Sequence, residues 1–168
     1  MNLIIRQYQS SDLNACRELW QELTEYHRKI YNDPSIGGEH PELYFDEHLK
    51  KVGTEKIWVA EYESKVVGFT GLIVEGEEAE VEPLIVLHEY RNKGIGKALT
   101  DYCIEQAKKL NIRYLSVKPV ARNESAIKYF YNAGFWSLGH IEMFMELPKQ
   151  NPNKWKSGLK FQGRKFDY

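Results

Sequence analysis

Cysteine is scarce, with two in 168 residues. Cys16 and Cys103 both fall in segments of helical periodicity, and their spacing fits neither a metal site nor a redox motif. That excludes a disulfide scaffold, and both read as buried free thiols. No metal ion is expected. No apolar run approaches the length that spans a bilayer, and no N-terminal apolar stretch resembles a secretion signal. The expectation is a cytoplasmic chain with no membrane partner. Internal repeats and low-complexity segments are missing too, which excludes a solenoid and a disordered polymer. Net charge is also small, at −1, but it hides a split. Residues 1–147 carry 17 Lys and Arg against 23 Asp and Glu, whereas residues 148–168 carry six against one. The acidic body argues against a nucleic-acid partner.

What is present suits one domain of ordinary globular composition, 42% apolar and 28% charged. Leu3–Tyr8 alternates as a strand. Ser10, Ser11 and Asp12 offer N-cap oxygens to a helix running through Leu13, Cys16, Leu19, Trp20, Leu23 and Tyr26 to about Tyr31. A loop of Pro, Gly and Asn follows over Asn32–Pro41. Pro41 then opens a second helix, which Gly53 stops. Lys56–Tyr62 and Val66–Val74 read as a hairpin, and Ala79–Leu87 as a further strand containing Pro83. Ile95–Leu110 is amphipathic at helical spacing. Tyr114–Val117 is a strand, a helix begins at Asn123 or Ser125, and Trp136–Leu147 is apolar enough for one or two more strands. This order predicts a mixed α/β sheet with helices on both faces.

The informative stretch is Leu84–Lys97. A buried strand runs into a glycine-containing turn that opens a helix. The first N–H groups of a helix lack internal partners and the helix dipole adds positive potential, so the turn is suited to an anion such as pyrophosphate. A nucleotide P-loop would need an earlier glycine and a Ser or Thr where Ala98 stands. A dinucleotide fingerprint would need a third glycine near the first strand. A tight turn with no ligand is the plain alternative.

Arg91-x-x-Gly94-x-Gly96 resembles the [Q/R]-x-x-G-x-[G/A] loop of the GNAT acyltransferase superfamily. Downstream, Asn123-Glu124-Ser125-Ala126-Ile127 and Ala133-Gly134-Phe135 are similar to its second motif. The resemblance is specific from Leu84 to Phe135 and looser back to Met1. It implies a mainly antiparallel GNAT-type sheet whose fourth and fifth strands splay at a bulge, with Pro83 suited to that bulge. It implies acetyl-CoA as co-substrate. The pantetheine arm would pair with the backbone of Leu84, Ile85 and Val86. The pyrophosphate would lie on the N–H groups of Asn92, Lys93, Gly94, Ile95, Gly96 and Lys97, with Arg91, the first residue of the loop, also counted in the donor site. Asn123 would contact the pantetheine, or serve only as a helix N-cap. The family's usual tyrosine acid, seven residues after that asparagine, is Phe130 here.

The resemblance also implies direct attack by a primary amine, whose proton must be taken up because an alkylammonium titrates near 10.4. Glu80 and Glu82, two apart on one strand, occupy positions of the catalytic base in two branches of the family. Their bland alternative is a solvated acidic strand end beside Glu75, Glu77 and Glu78. The expected function is N-acetylation of a cationic small molecule or a protein amine. A non-catalytic acyl-CoA sensor on the same fold is the competing reading, prompted by Phe130. The expected division is a GNAT domain over 1–147 and a basic, aromatic arm over 148–168. That arm would cover a sheet edge or cross to the partner in a homodimer.

Overall fold

The computed structural model describes residues 2–143, 145, 147 and 155–168. The chain runs β1 (Leu3–Gln7), α1 (Leu13–Tyr31), α2 (Tyr44–Val52), β2 (Ile57–Tyr62), β3 (Lys65–Glu75), β4 (Glu78–Val86), α3 (Ile95–Lys109), β5 (Tyr114–Ser116), α4 (Glu124–Asn132), β6 (Ser157–Phe161) and β7 (Arg164–Asp167). Strands β1 to β5 form one sheet in sequence order, antiparallel except for the parallel β4–β5 pair. The mixed sheet anticipated from the alternation of strand and helix patterns is therefore present.

Each face of the sheet buries a helical stripe. On one face, Cys16 and Leu19 of α1 and Phe45 of α2 pack with Ile57, Val59, Phe69 and Ile85. Phe45 meets Phe69 edge-on at 5.2 Å, and both are fully buried. Each such side chain contributes roughly 1.5–3 kcal/mol of transfer free energy. On the other face, Leu99, Cys103 and Ala107 of α3 pack on Trp58, Ala60, Val67, Leu72, Ala79 and Val81. Both thiols are free and buried, as their helical settings implied. Helix α4 spans the two layers at the splayed end. Its Tyr129 hydroxyl meets Thr100 Oγ1 of α3 at 2.7 Å, and its N-terminus faces α1 through Tyr26.

The β3–β4 register slips by one residue. Thr70 faces Leu84 but Leu72 faces Val81, so the bulge falls at Glu82–Pro83, opposite Gly71. Strand β5 pairs only with Glu78, Ala79 and Glu80. Beyond that point β4 continues to Val86 with no strand paired on its outer side among the described residues.

One expectation fails. Among the described residues from Trp136 to Leu147 there is no strand. Trp136 is turned back onto α4, where its indole N–H donates to Tyr131 O at 2.7 Å, and Trp136, Leu138, Met143, Met145 and Leu147 are exposed. Apolar residues suit a strand, but pattern alone does not secure pairing, and here Trp136 is held against α4 instead. The arm forms a separate hairpin, β6–β7. Arg122, buried over the Tyr31 ring at 4.7 Å, donates to Tyr168 O at 2.7 Å and to the carbonyls of Ile30 and Tyr31. The hairpin thus ends against the close of α1 and the β5–α4 connection. Its first residues, 148–154, lie outside the described region.

Candidate active site

The splay places an open backbone edge beside a helix N-terminus. Leu87 N–H bonds Val67 O on β3 at 2.9 Å. Alternation along the strand then turns the polar groups of Ile85 toward β3 and those of Leu84 and Val86 outward. Val86 O is taken by Arg91, whose Nε–H donates to it at 3.0 Å. Among the described residues, Leu84 keeps both outward groups, and Val86 its N–H, free toward the gap.

The strand then passes through a short turn at His88–Tyr90 into the loop. Asn92 and Gly94 both take the left-handed conformation, with φ of 61° and 80°. For Gly94 this explains the residue, since a side chain is strained there. A Cβ on Gly94 would meet no atom within 4 Å, so the space above the turn is open. Ala98 N–H is the first to close the helical ladder, onto Gly94 O at 3.0 Å. The N–H groups of Ile95, Gly96 and Lys97 therefore have no helical partner and point out of the helix start. Gly96 packs 3.7 Å from Tyr129, counted from where its Cβ would be.

The cations expected to reinforce this site are already engaged. Lys97 is paired with Asp101, whose carboxylate holds its ammonium above the ordinary range. Lys93 lies over the Tyr90 and Tyr62 rings at 4.8 and 5.9 Å. Asn123 takes the N-cap role that one of its two readings expected. Its Oδ1 caps α4 by accepting from Ala126 N at 3.1 Å, and also accepts from Ser125 Oγ at 2.9 Å. The amide N–H₂ remains to donate elsewhere. Phe130 stacks edge-on with Tyr129 and Phe135 at 5.3 and 5.7 Å, so no hydroxyl stands at that position. Tyr131 is exposed.

The two strand carboxylates differ sharply. Glu80 is ion-paired with Lys118, which follows β5. The Glu80 carboxylate holds the Lys118 ammonium above its ordinary range, with Glu82 and Glu75 adding to the effect. Glu80 and Glu82 thus border one region, as their spacing implied. Glu82 sits on the bulge and has no side-chain hydrogen bond or ion pair among the described residues. Sequence reasoning missed Lys118, which only the parallel β4–β5 pairing brings to Glu80.

A second residue was passed over. His48 of α2 is buried, its ring is 5.2 Å from that of Trp20, and its Nε2 has no partner among the described residues. A Cβ on Gly71 would lie 2.7 Å from this nitrogen and 2.6 Å from Glu82 O. Glycine is required where α2 and the bulge press on β3 from both sides. Burial pushes the His48 imidazole down to about 4, and Lys51 adds to the effect. It is neutral near pH 7. Burial likewise raises the Cys103 thiol to about 12 and the Cys16 thiol further. Neither is available as a thiolate nucleophile.

Strand splay, open β4 edge and glycine turn into a helix together define an acyl-CoA-binding acyltransferase fold, and comparison with known proteins agrees. The Acetyltransferase (GNAT) family profile matches residues 15–135. The chain belongs to that family. Among curated relatives it is similar to an uncharacterized N-acetyltransferase of Methanocaldococcus jannaschii, 29% identical over 109 residues, covering 61% of this chain and 48% of the relative. It is also similar to an uncharacterized N-acetyltransferase of Escherichia coli K12, 30% identical over 96 residues, covering 51% and 58%. The chain thus spans about half the length of the curated relatives it matches. Among solved structures, a GNAT-family acetyltransferase of Staphylococcus aureus Mu50 superposes with a TM-score of 0.63 at 26% identity, covering 79% of this chain and 84% of that one. An N-acetyltransferase of Thermoplasma acidophilum in complex with coenzyme A shares the fold with a TM-score of 0.66 at 22% identity, covering 80% and 89%.

Proposed function

We propose that the protein acetylates a primary amine, drawing the acetyl group from acetyl-CoA held along the open edge of β4 and at the start of α3. The observation that carries this reading is the departure of β4 from β5 after Glu80. It leaves outward backbone groups at Leu84 and Val86, in line with the unpaired N–H groups of Ile95, Gly96 and Lys97. The arm of the donor pairs with that edge as an added strand. The pyrophosphate rests on the helix start, where the open space above Gly94 admits it, and the Asn123 amide donates to the arm.

The amine attacks the thioester carbon from the face that carries the two glutamates. The carbon–nitrogen bond forms, the carbon–sulfur bond breaks, and the thiolate leaves with the electron pair. Glu82, on the bulge and without a partner of its own, accepts the proton from the amine. Glu80, paired with Lys118, supports it. An outward N–H of β4, that of Val86 or Leu84, stabilises the tetrahedral oxyanion. A free thiol titrates near 8.5, so the leaving thiolate departs without an acid at Phe130. The buried, protonated state of both cysteines favours direct attack over an acyl-enzyme.

The acceptor on this reading is cationic. Glu39, Glu47, Tyr44 and His40 line a shallow recess of about 380 Å³ between the loop before α2 and the first turns of α2. A carboxylate-and-aromatic lining suits an ammonium. A cytoplasmic setting fits two free, buried thiols. A homodimer fits the exposed apolar residues between Trp136 and Leu147. The division into a domain over 1–147 and an arm over 148–168 is part of the same proposal.

The test is turnover of acetyl-CoA across a panel of polyamines, aminoglycosides, lysine peptides and peptide N-termini, with product mass as the readout. A gain of 42 Da on one amine class supports the enzyme. Donor binding with no product from any amine would leave the sensor reading instead.

A further inference from the structure

Arg91 is the first residue of the loop motif, yet its side chain does not point to the helix start. Its guanidinium lies in a box closed on three sides. Nε donates to Val86 O at 3.0 Å. Nη2 meets Glu22 Oε1 of α1 at 3.4 Å. The Tyr26 ring, one helical turn beyond Glu22 on the same face of α1, lies 5.5 Å from the guanidinium carbon. The same Glu22 oxygen accepts His88 N–H at 2.8 Å, at the turn between β4 and the loop. The Tyr26 hydroxyl reaches Asn123 Oδ1 at 3.4 Å and Ser125 Oγ at 3.3 Å, at the cap of α4.

Two residues of α1 therefore touch the turn after β4, the loop and the cap of α4, and through Arg91 they are joined to Val86 at the end of β4. We infer that Arg91 is a strut and not an anion ligand, and that Glu22 and Tyr26 are positioning residues fixing the donor groove to α1. The inference rests on the donor site proposed above. Val86 is an outward-facing residue of the β4 edge, so anchoring its carbonyl sets the line along which the donor arm pairs. A carboxylate at this place would repel a pyrophosphate if it faced one. Its bond to His88 N–H and its pairing with Arg91 neutralise it locally.

The strut and the ligand roles predict different results with a donor that lacks phosphates. Acetyl-S-pantetheine carries the arm and thioester but no pyrophosphate. If Arg91 is a strut, Arg91→Met lowers kcat/KM for acetyl-CoA and for acetyl-S-pantetheine by the same factor, about tenfold, through misplacement of the arm. If Arg91 contacts the pyrophosphate, only acetyl-CoA suffers. Glu22→Gln separates the two by sign. A strut requires it to weaken acetyl-CoA binding, measured by calorimetry. Freeing a phosphate ligand and removing a nearby negative charge would strengthen that binding. Tyr26→Phe keeps the ring under the guanidinium and retains most of the activity that Tyr26→Leu loses, whereas equal losses would refute a role for the ring.

A wild-type protein that uses acetyl-CoA alone leaves the decision to the sign of the Glu22→Gln effect. A wild-type protein that binds no acetyl-CoA removes the donor site and the strut together. Normal wild-type turnover with a loss confined to acetyl-CoA in Arg91→Met overturns the strut and leaves the site standing.

Discussion

His48 gives the molecule a sharp acid sensitivity that can be worked out in advance. In the unfolded chain its imidazole titrates at its ordinary value, near 6.5, and in the folded protein burial holds it down to about 4. Between those values the unfolded chain binds the extra proton and the folded one does not, so stability falls with pH across that window. Above about 6.5 the group makes no difference, and below about 4 the loss is complete. A gap of about 2.5 in pH at 1.36 kcal/mol per unit caps the loss at ~3 kcal/mol, with ~2 kcal/mol already gone by pH 5. Asp12 and Asp46 push in the same direction, because their arginine partners hold both carboxylates below the ordinary range. For Asp12 that pull overcomes the opposing effect of burial, which is the largest single influence on it.

Wild-type stability alone therefore does not isolate the histidine, and the comparison needs His48→Leu. That substitution keeps the volume close, removes the titration and removes an unpaired buried nitrogen. Urea midpoints taken from pH 7.5 down to 4.5 should show the variant gaining on the wild type steadily below pH 6.5, by ~2 kcal/mol at pH 5. Parallel stability curves across that range would mean that the buried imidazole takes up its proton as readily folded as unfolded, and the account of its burial would be wrong.

The other predictions concern the bulge and the loop. Gly71→Ala places a Cβ 2.6 Å from Glu82 O and 2.7 Å from His48 Nε2, and should lower stability by roughly 1–3 kcal/mol in denaturant titration, since backbone on one side cannot give way. A midpoint equal to that of the wild type would show that the strand relaxes freely. Glu82→Gln should cut turnover near neutral pH by about 10²–10⁴ with acetyl-CoA binding intact, and Glu80→Gln by less, because Lys118 already occupies that carboxylate. Equal losses would remove the distinction between them. A Cβ at Gly96 would have its nearest contacts with Tyr129, at an ordinary 3.7 Å, so the fold should survive Gly96→Val. Acetyl-CoA affinity should still fall at least about tenfold by calorimetry, and unchanged affinity would move the pyrophosphate elsewhere.

Much of this molecule was decided locally and could be read without coordinates. The predicted span of α1 ends at Tyr31 as observed, because its apolar stripe stops there and Asn32 adopts the left-handed conformation that closes a helix. The hairpin β2–β3, the helix after Gly94 and the cap at Asn123 were equally legible, since caps, turns and periodicity act over a few residues. Pro83 marked the bulge because it cannot join a ladder. The loop and the acidic pair were found from their resemblance to the motifs and base positions of the GNAT family. Tertiary structure decided what each of those groups does with its charge. Lys118 reaches Glu80 only through a parallel pairing 38 residues apart, and Glu22 reaches Arg91 across 69. The pressure of His48 on Gly71 depends on how α2 lies over the sheet. Nothing along the chain records these meetings, because a side chain's partner, and hence its protonation and direction, is set by whatever packing brings within a few ångströms. The apolar stretch from Trp136 to Leu147 makes the same point in reverse: the pattern is local, but tertiary packing decides whether it pairs as a strand.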